Sequence, residues 1–217
     1  MIKSNVAEDP FYLITRIARR SKTNWLRWTY PFHSFGKGIG IEFSADIPRS
    51  MSPEMSIGDN VYIAEHVWMT AIPGGRTDIH PKLVIGNRCS IGKRTSLSAH
   101  NCIVLEDDVL IGPSVVMMDY NHEFTDPKRP IKDQGVTEGG RIIIERNSWI
   151  AQGAAILCGR GELVIGRNSV VGANAVVTRS CPPCSVLVGN PARIVRSYDP
   201  EARAWVRAME KELTYNQ

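Results

Sequence analysis

Residues 85–117 read IGNRCSIGKRTSLSAHNCIVLEDDVLIGPSVVM, and an aliphatic residue followed by a small one returns in them on a beat of six: Ile85-Gly86, Ile91-Gly92, Ile111-Gly112. The same pairing continues on both sides, at Ile57-Gly58, Ile63-Ala64, Ile150-Ala151, Ile165-Gly166 and Val171-Gly172. Extended to positions 57, 63, 69; 85, 91, 97; 105, 111, 117; 144, 150, 156; and 165, 171, 177, the beat meets Ile, Leu, Val or Met all fifteen times. At a background of one-half apolar, that run would arise by chance about three times in 10⁵. Four residues after most of these positions comes a small or short side chain, such as Val61, Cys89, Thr95, Ser148 or Ala175; Asn101 and Arg160 break the rule.

A six-residue unit is one short strand and one turn, and three units close a triangular coil of eighteen. The aliphatic residue points inward, the small one fills the inside of a corner, and the Gly or Ala is expected to permit the bend. One coil cannot bury its own apolar face, so coils stack and share a continuous core. The period of 3.6 that an amphipathic helix needs is missing from this region. The fold class is therefore an all-β solenoid, a parallel β-helix of about five or more triangular coils.

Coil starts lie 28, 20, 39 and 21 residues apart. Against a base of eighteen this leaves two real insertions, at 75–84 and 123–143. In solenoids, insertions become loops on one face, often the binding face, and a loop as long as the second is usually functional. The ends read as helices. Asp9-Pro10 precedes Leu13, Ile14, Ile17 and Ala18, and Asp199-Pro200 precedes Ala202, Trp205, Val206, Met209 and Leu213; both pairs are an N-cap with Pro at the first helical position. The expected organisation is an N-terminal helical cap and loop over 1–38, the β-helix over 39–196 and a C-terminal helix over 197–217.

The 217 residues carry a formal charge of +4, and the dense basic stripe of a nucleic-acid protein is missing. No apolar run approaches the ~18 residues of a membrane span, and the start has no secretory pattern. The expected location is the cytoplasm. Five cysteines do not suggest a disulfide framework. Cys181-Pro-Pro-Cys184 has clamp spacing, without a second pair or a nearby His to complete a zinc site.

Three stretches carry a family resemblance: VLIGPSVVMMDYNH (109–122), NSWIAQG (147–153), and VVGANAVVTR (170–179) with Pro182-Pro183 and GNPARIV (189–195). From about Ile39 to Arg196 the chain resembles the hexapeptide-repeat acyltransferases, with their left-handed parallel β-helix. It is most similar to the sugar O-acetyltransferases of polysaccharide and lipopolysaccharide biosynthesis and to galactoside and maltose acetyltransferases. The resemblance implies a homotrimer, acetyl-CoA as cosubstrate with no metal, and direct transfer to a sugar hydroxyl. It also implies His122 as general base, a role suited to imidazole because it titrates near neutral pH. Asp119 and Asn121 flank it, and each either orients the ring, contacts the sugar or does ordinary turn chemistry.

By the same resemblance Gln152, Gly153, Ala173 and Thr178 line the pantetheine arm, Arg193 and Arg196 meet phosphates, and Trp149 walls the thioester site or simply packs. Ser98 stands where galactoside-type relatives have an assisting Asn, with His100 beside it. The long loop offers Gln134 among its acceptor contacts. Rival readings are an N-acetyltransferase on an amino-sugar nucleotide, an antibiotic acetyltransferase, a γ-carbonic-anhydrase-like metalloenzyme and a scaffold without catalysis. The metalloenzyme needs three ligand histidines, a spacing that His33, His66, His80, His100 and His122 do not offer. The basic and aromatic stretch Arg16 to Phe35 has two readings: a cap packed on the first coil, or peripheral contact with an anionic membrane.

Overall fold

The structure, a computed structural model, describes residues 10–74 and 78–208, with side chains from residue 13. Asp9, the first three residues of the 75–84 insertion and the end of the C-terminal segment lie outside the described residues. Three parallel sheets form the sides of a prism, and the chain visits them in turn. The first sheet stacks Ser34–Phe35, Met55–Ile57, Leu83–Ile85, Cys102–Leu105, Gly139–Ile144 and Arg160–Ile165. The second stacks Gly40–Ile41, Tyr62–Ile63, Ser90–Ile91, Leu110–Ile111, Trp149–Ile150, Val170–Val171 and Ser185–Val188. The third stacks Trp68–Ala71, Ser96–Ala99, Val116–Met118, Ala155–Leu157 and Val176–Val177.

The six-residue register is met at every position. All fifteen aliphatic residues are at most 1% exposed. They pair vertically into three columns, Ile57↔Ile85↔Leu105↔Ile144↔Ile165 in the first sheet and the equivalent columns in the other two. The short residues inside the corners, such as Cys89, Thr95, Ser148 and Ala175, are buried as expected. The coils begin earlier than residue 39, because Ser34–Phe35 already pairs with Ser56–Ile57.

The small residue after each aliphatic one has a different reason from the bend. The bend is made two residues further on, where Asn60, Asn147, Asn168, Asn174 and even Arg88 and Arg94 take φ of 56–58°. Asn tolerates this left-handed region best among side-chain-bearing residues. Gly92 has no such φ; a Cβ there would stand 2.5 Å from the carbonyl carbon of Gly112 in the next coil. Gly86 meets the next coil at Glu106 in the same way, at 2.6 Å. Glycine is needed for stacking distance, and the turn falls to Asn and its substitutes.

A helix, α1 (Pro10–Thr29), covers the N-terminal end. Its Leu26 joins the core and the Thr23 hydroxyl accepts the Ile41 N–H at 3.0 Å. The expected C-terminal helix is not what the described residues form. Arg193–Asp199 and Ala204–Arg207 are antiparallel strands added to the edge of the second sheet, with Asp199 turning the chain by accepting the N–H groups of Glu201 and Ala202. Residues 209–217 lie outside the described residues. An exposed sheet edge offers unpaired backbone groups, and that pairing overrides the helical spacing of Ala202, Trp205 and Val206.

Replacing an inward residue should remove contacts in a column that cannot collapse. Leu105→Ala is expected to lower unfolding free energy by about 2–5 kcal/mol in urea titration. The outward-facing Leu110→Ala should stay within ~0.5 kcal/mol, and equal losses would contradict the assigned register.

Candidate active site

Both insertions leave the prism at the same edge. The first follows Trp68–Ala71 and precedes Leu83–Ile85; the second follows Val116–Met118 and precedes Gly139–Ile144. Each joins the third sheet to the first. The coil between them turns the same edge at His100 and Asn101, and the coil after them turns it at 158–161. One edge of the prism therefore collects both insertions.

His122 sits on the neck of the second insertion. Its backbone bridges Val136 in antiparallel sense, Thr137 N–H donates to the Asn121 carbonyl at 2.8 Å, and Glu123 N–H donates to the Gly135 carbonyl at 3.0 Å. The imidazole is exposed. Beyond the neck, Gln134 ties the loop to itself: its Oε1 accepts the Asp126 N–H and its Nε2 donates to the Asp126 and Arg129 carbonyls. Its amide is engaged in holding the shape of the loop.

Beside the neck lies a cavity of about 610 Å³, lined by His100, Asn101, Val136, Thr137, Glu138, Gly139, Arg160 and Gly161. Val136 and Thr137 are the residues that face His122 and Asn121 across the neck, so His122 and the cavity share one wall. His100 belongs to the cavity. Its ring is nearly buried, 5.7 Å from the Tyr120 ring, and its Nδ1 has no hydrogen-bond partner. Burial lowers its pKa, the nearby Lys82 ammonium lowers it further, and Asp119 opposes both.

Two expected contacts are corrected by burial. Asp119 is fully buried, and its carboxylate accepts three backbone N–H groups, from His100 at 2.7 Å, Asn101 at 2.8 Å and Cys102 at 2.6 Å. Burial pushes its pKa up and the three N–H groups pull it back. It pins the corner that carries His100, out of reach of a sugar. Ser98 is also fully buried, its hydroxyl shared with Thr70 at 2.8 Å and Tyr120 at 3.0 Å. Tyr120 roofs this position, a role not legible in the sequence. Arg160 and Glu138 were missed too, because each lies on the wall only through the stacking of separate coils.

The residues implied for an acyl carrier divide between two edges. Gln152, Gly153 and Ala173 occupy successive coils at the edge between the second and third sheets, with Gln152 and Ala173 exposed. Gly153 has φ of 72°, and a Cβ there would meet the Asn174 side chain at 2.2 Å. Trp149 stands half-exposed on the outer face just before that edge, so it does not pack in the core. Thr178 follows Val176–Val177 and falls on the His122 edge. Arg193 is exposed and donates to the Ala192 carbonyl. Arg196 lies directly opposite Arg207 across the terminal strands, and with Val195 and Trp205 they line a cleft of about 540 Å³. The Cys181 thiol is buried, which pushes its pKa up, the opposite of a reactive clamp.

Comparison with known proteins agrees with this architecture. No family model matches the chain. A protein of Mycobacterium tuberculosis named as an acetyltransferase is 28% identical over 198 residues, 90% of this chain and 61% of that protein. WbbJ of Escherichia coli, named for lipopolysaccharide biosynthesis O-acetyl transfer, is 31% identical over 112 residues, 49% of this chain and 56% of that protein. The chain thus spans less than two thirds of the length of either relative. A crystal structure of a hexapeptide-repeat acetyltransferase of Vibrio cholerae with acetyl-coenzyme A superposes at TM-score 0.52 and 23% identity, over 89% of this chain and 91% of that one. A variant of the N-acyltransferase AntD of Bacillus cereus, solved with dTDP and coenzyme A, superposes at TM-score 0.65 and 22% identity, over 82% and 90%. The chain is a homologue of proteins named as acetyltransferases, and it shares the fold of a hexapeptide-repeat acetyltransferase.

In this homologue the buried neutral His100 makes stability depend on pH. Its folded pKa lies below the unfolded value of 6.5. Below that value the unfolded chain takes up a proton that the folded chain refuses, so stability falls as pH drops through about 6.5. Urea unfolding between about pH 7 and 5.5 should show this loss, at up to ~1.4 kcal/mol per pH unit. His100→Gln should reduce the slope; an unchanged slope would assign it to another group.

Proposed function

We propose that the chain is an acetyl-CoA-dependent acetyltransferase acting on a sugar hydroxyl in cell-surface polysaccharide biosynthesis, with His122 as general base. The observation that carries this reading is the exposed imidazole on the neck of the long insertion, against a polar cavity on the one edge that gathers both insertions. The names of the sequence relatives support acetyl transfer and a sugar-containing acceptor. The left-handed sense of the coil and a cytoplasmic location belong to the same reading; no described helix is long and apolar enough to cross a membrane.

In this mechanism the acceptor lies in the cavity, with Arg160, Glu138, Thr137 and Asn101 offering charged and polar contacts. His122 takes the hydroxyl proton as the oxygen attacks the thioester carbonyl carbon. The C–S bond then breaks, and the imidazolium returns the proton to the departing thiolate. Such base catalysis contributes about 10²–10⁴-fold. The acyl carrier fits the second edge, where the small, exposed Ala173 leaves room for a thin arm, and the Arg196–Arg207 cleft, where paired guanidinium groups suit phosphate. Because these lie on a different edge from His122, the working unit of this proposal is a homotrimer in which neighbouring copies complete each site.

A free-thiol release assay with acetyl-CoA over a panel of sugars, sugar nucleotides and amino-sugar nucleotides tests the proposal and separates hydroxyl from amine acceptors. His122→Ala should lower kcat by at least ~10² with coenzyme A affinity little changed. Arg160→Ala should raise the acceptor KM roughly tenfold while kcat is nearly kept, the cost of one charge-assisted hydrogen bond. Equal turnover by the native protein and His122→Ala would end the mechanism.

A further inference from the structure

The helix α1 faces the wrong way for an ordinary cap. At 100° per residue, Leu13, Ile14, Ile17, Trp25 and Trp28 share an arc of about 120°, and all five are exposed, Trp28 by 83%. The residues that touch the prism, Thr23 and Leu26, lie on the opposite side of the helix. A surface helix normally turns its apolar stripe to the core. Here the core receives one Leu and one Thr, and the stripe is presented outward.

The polar residues of α1 share one sign of charge. Arg16, Arg19, Arg20, Lys22 and Arg27 are its charged residues, and it contains no Asp or Glu. Arg19 pairs with Glu42 at 2.8 Å, and Asp46 acts on Lys22 from the first coil. Lys22 and Arg27 also donate to backbone carbonyls, of Phe43 and Ala45 and of Phe35 and Gly36. These bonds hold the helix to the prism in one orientation, with Arg19 and Lys22 turned to the prism and Arg20 at the edge of the apolar arc. On the same side Phe43 is exposed, and with Ser21, Lys22 and Trp25 it lines a cleft of about 360 Å³ with mostly apolar walls.

We infer that α1 is a membrane-surface anchor that lays its outward face, Leu13, Ile14, Ile17, Trp25 and Trp28, into the headgroup region of an anionic lipid bilayer. An outward apolar arc, the cation Arg20 at its edge, no acid on the helix, and two Trp residues, Trp25 at the rim of the arc and Trp28 at its centre, are the attributes of a helix lying in the interface plane. A second copy of this chain is a poorer occupant, since a symmetric contact would oppose two cationic helices. The tie to the prism gives the anchor a fixed direction, so the whole solenoid would stand on the membrane by its N-terminal end.

The test uses the full chain and vesicle co-sedimentation. Vesicles of phosphatidylcholine alone are compared with vesicles containing about 30% phosphatidylserine, at ~0.1 M and ~0.5 M salt. The native chain should sediment with the anionic vesicles at low salt and be released at high salt. Ile17→Ser with Trp28→Ser, at two exposed positions, should lower partitioning at least ~10-fold while the melting temperature is kept. Arg20→Ala should lower it about fivefold. Failure to sediment with anionic vesicles, equal binding to neutral ones, or binding indifferent to both variants would overturn the inference. So would sedimentation velocity showing that the double variant dissociates an assembly held by this face. None of these readouts involves acetyl transfer, so the inference and the proposed function fail or stand separately.

Discussion

Vertical register is the constraint on which the rest of the molecule depends. Each coil hydrogen-bonds to the coils above and below, and each inward side chain must meet the one in the next coil. A residue inserted within a strand would rotate every later side chain by one position and empty the column. Corners are the places where the chain can leave without that cost. At a single edge the coils are joined by loops of free length, and there the neck of the long loop is closed by backbone bonds such as Glu123 to Gly135. The site can vary because the core beside it cannot.

The period was legible because it is a local rule repeated. All fifteen inward residues could be named from the sequence, since each obeys the same six-residue beat whatever surrounds it. The insertions were legible as breaks in that beat. What escaped depends on contacts between coils. Glycine after Ile91 looks like turn chemistry until the next coil is set above it. Asp119 beside His122 looks like part of a catalytic pair until three N–H groups of another coil are found on its carboxylate. The last strands escaped for a related reason: Trp205 and Val206 have helical spacing, but the free edge of Ser185–Val188 gives Arg193–Asp199, and through it Ala204–Arg207, a ladder that sequence spacing does not reveal.

Asp119 also shows how the fold supports its site. A carboxylate with no exposure must be satisfied or neutralised. Here it is satisfied by three consecutive N–H groups, so the corner at His100 to Cys102 cannot relax without stranding donors and charge together. The same residue's carbonyl accepts the Gly140 N–H at 2.6 Å, where the chain returns from the long loop. One side chain and its backbone therefore fix the floor of the cavity and the exit of the loop that carries His122. A fully buried residue thus sets the spacing between the His100 corner and the neck that carries His122.

The division of functional residues between two edges follows from the prism itself. Reacting atoms must come within about 3–3.5 Å for transfer. The third sheet separates the His122 edge from the Gln152 and Ala173 edge by a strand's width, roughly 10–15 Å at ~3.3 Å per residue. A rigid, fully registered sheet cannot fold to close that distance. An acyl carrier lying on the second edge would therefore meet the imidazole of another copy sooner than that of its own chain. Thr178, on the His122 edge but implied for the carrier, fits a groove with one wall from each copy. A solenoid is a good platform for such a shared site, because its flat faces and straight edges bring long columns of residues into contact at once.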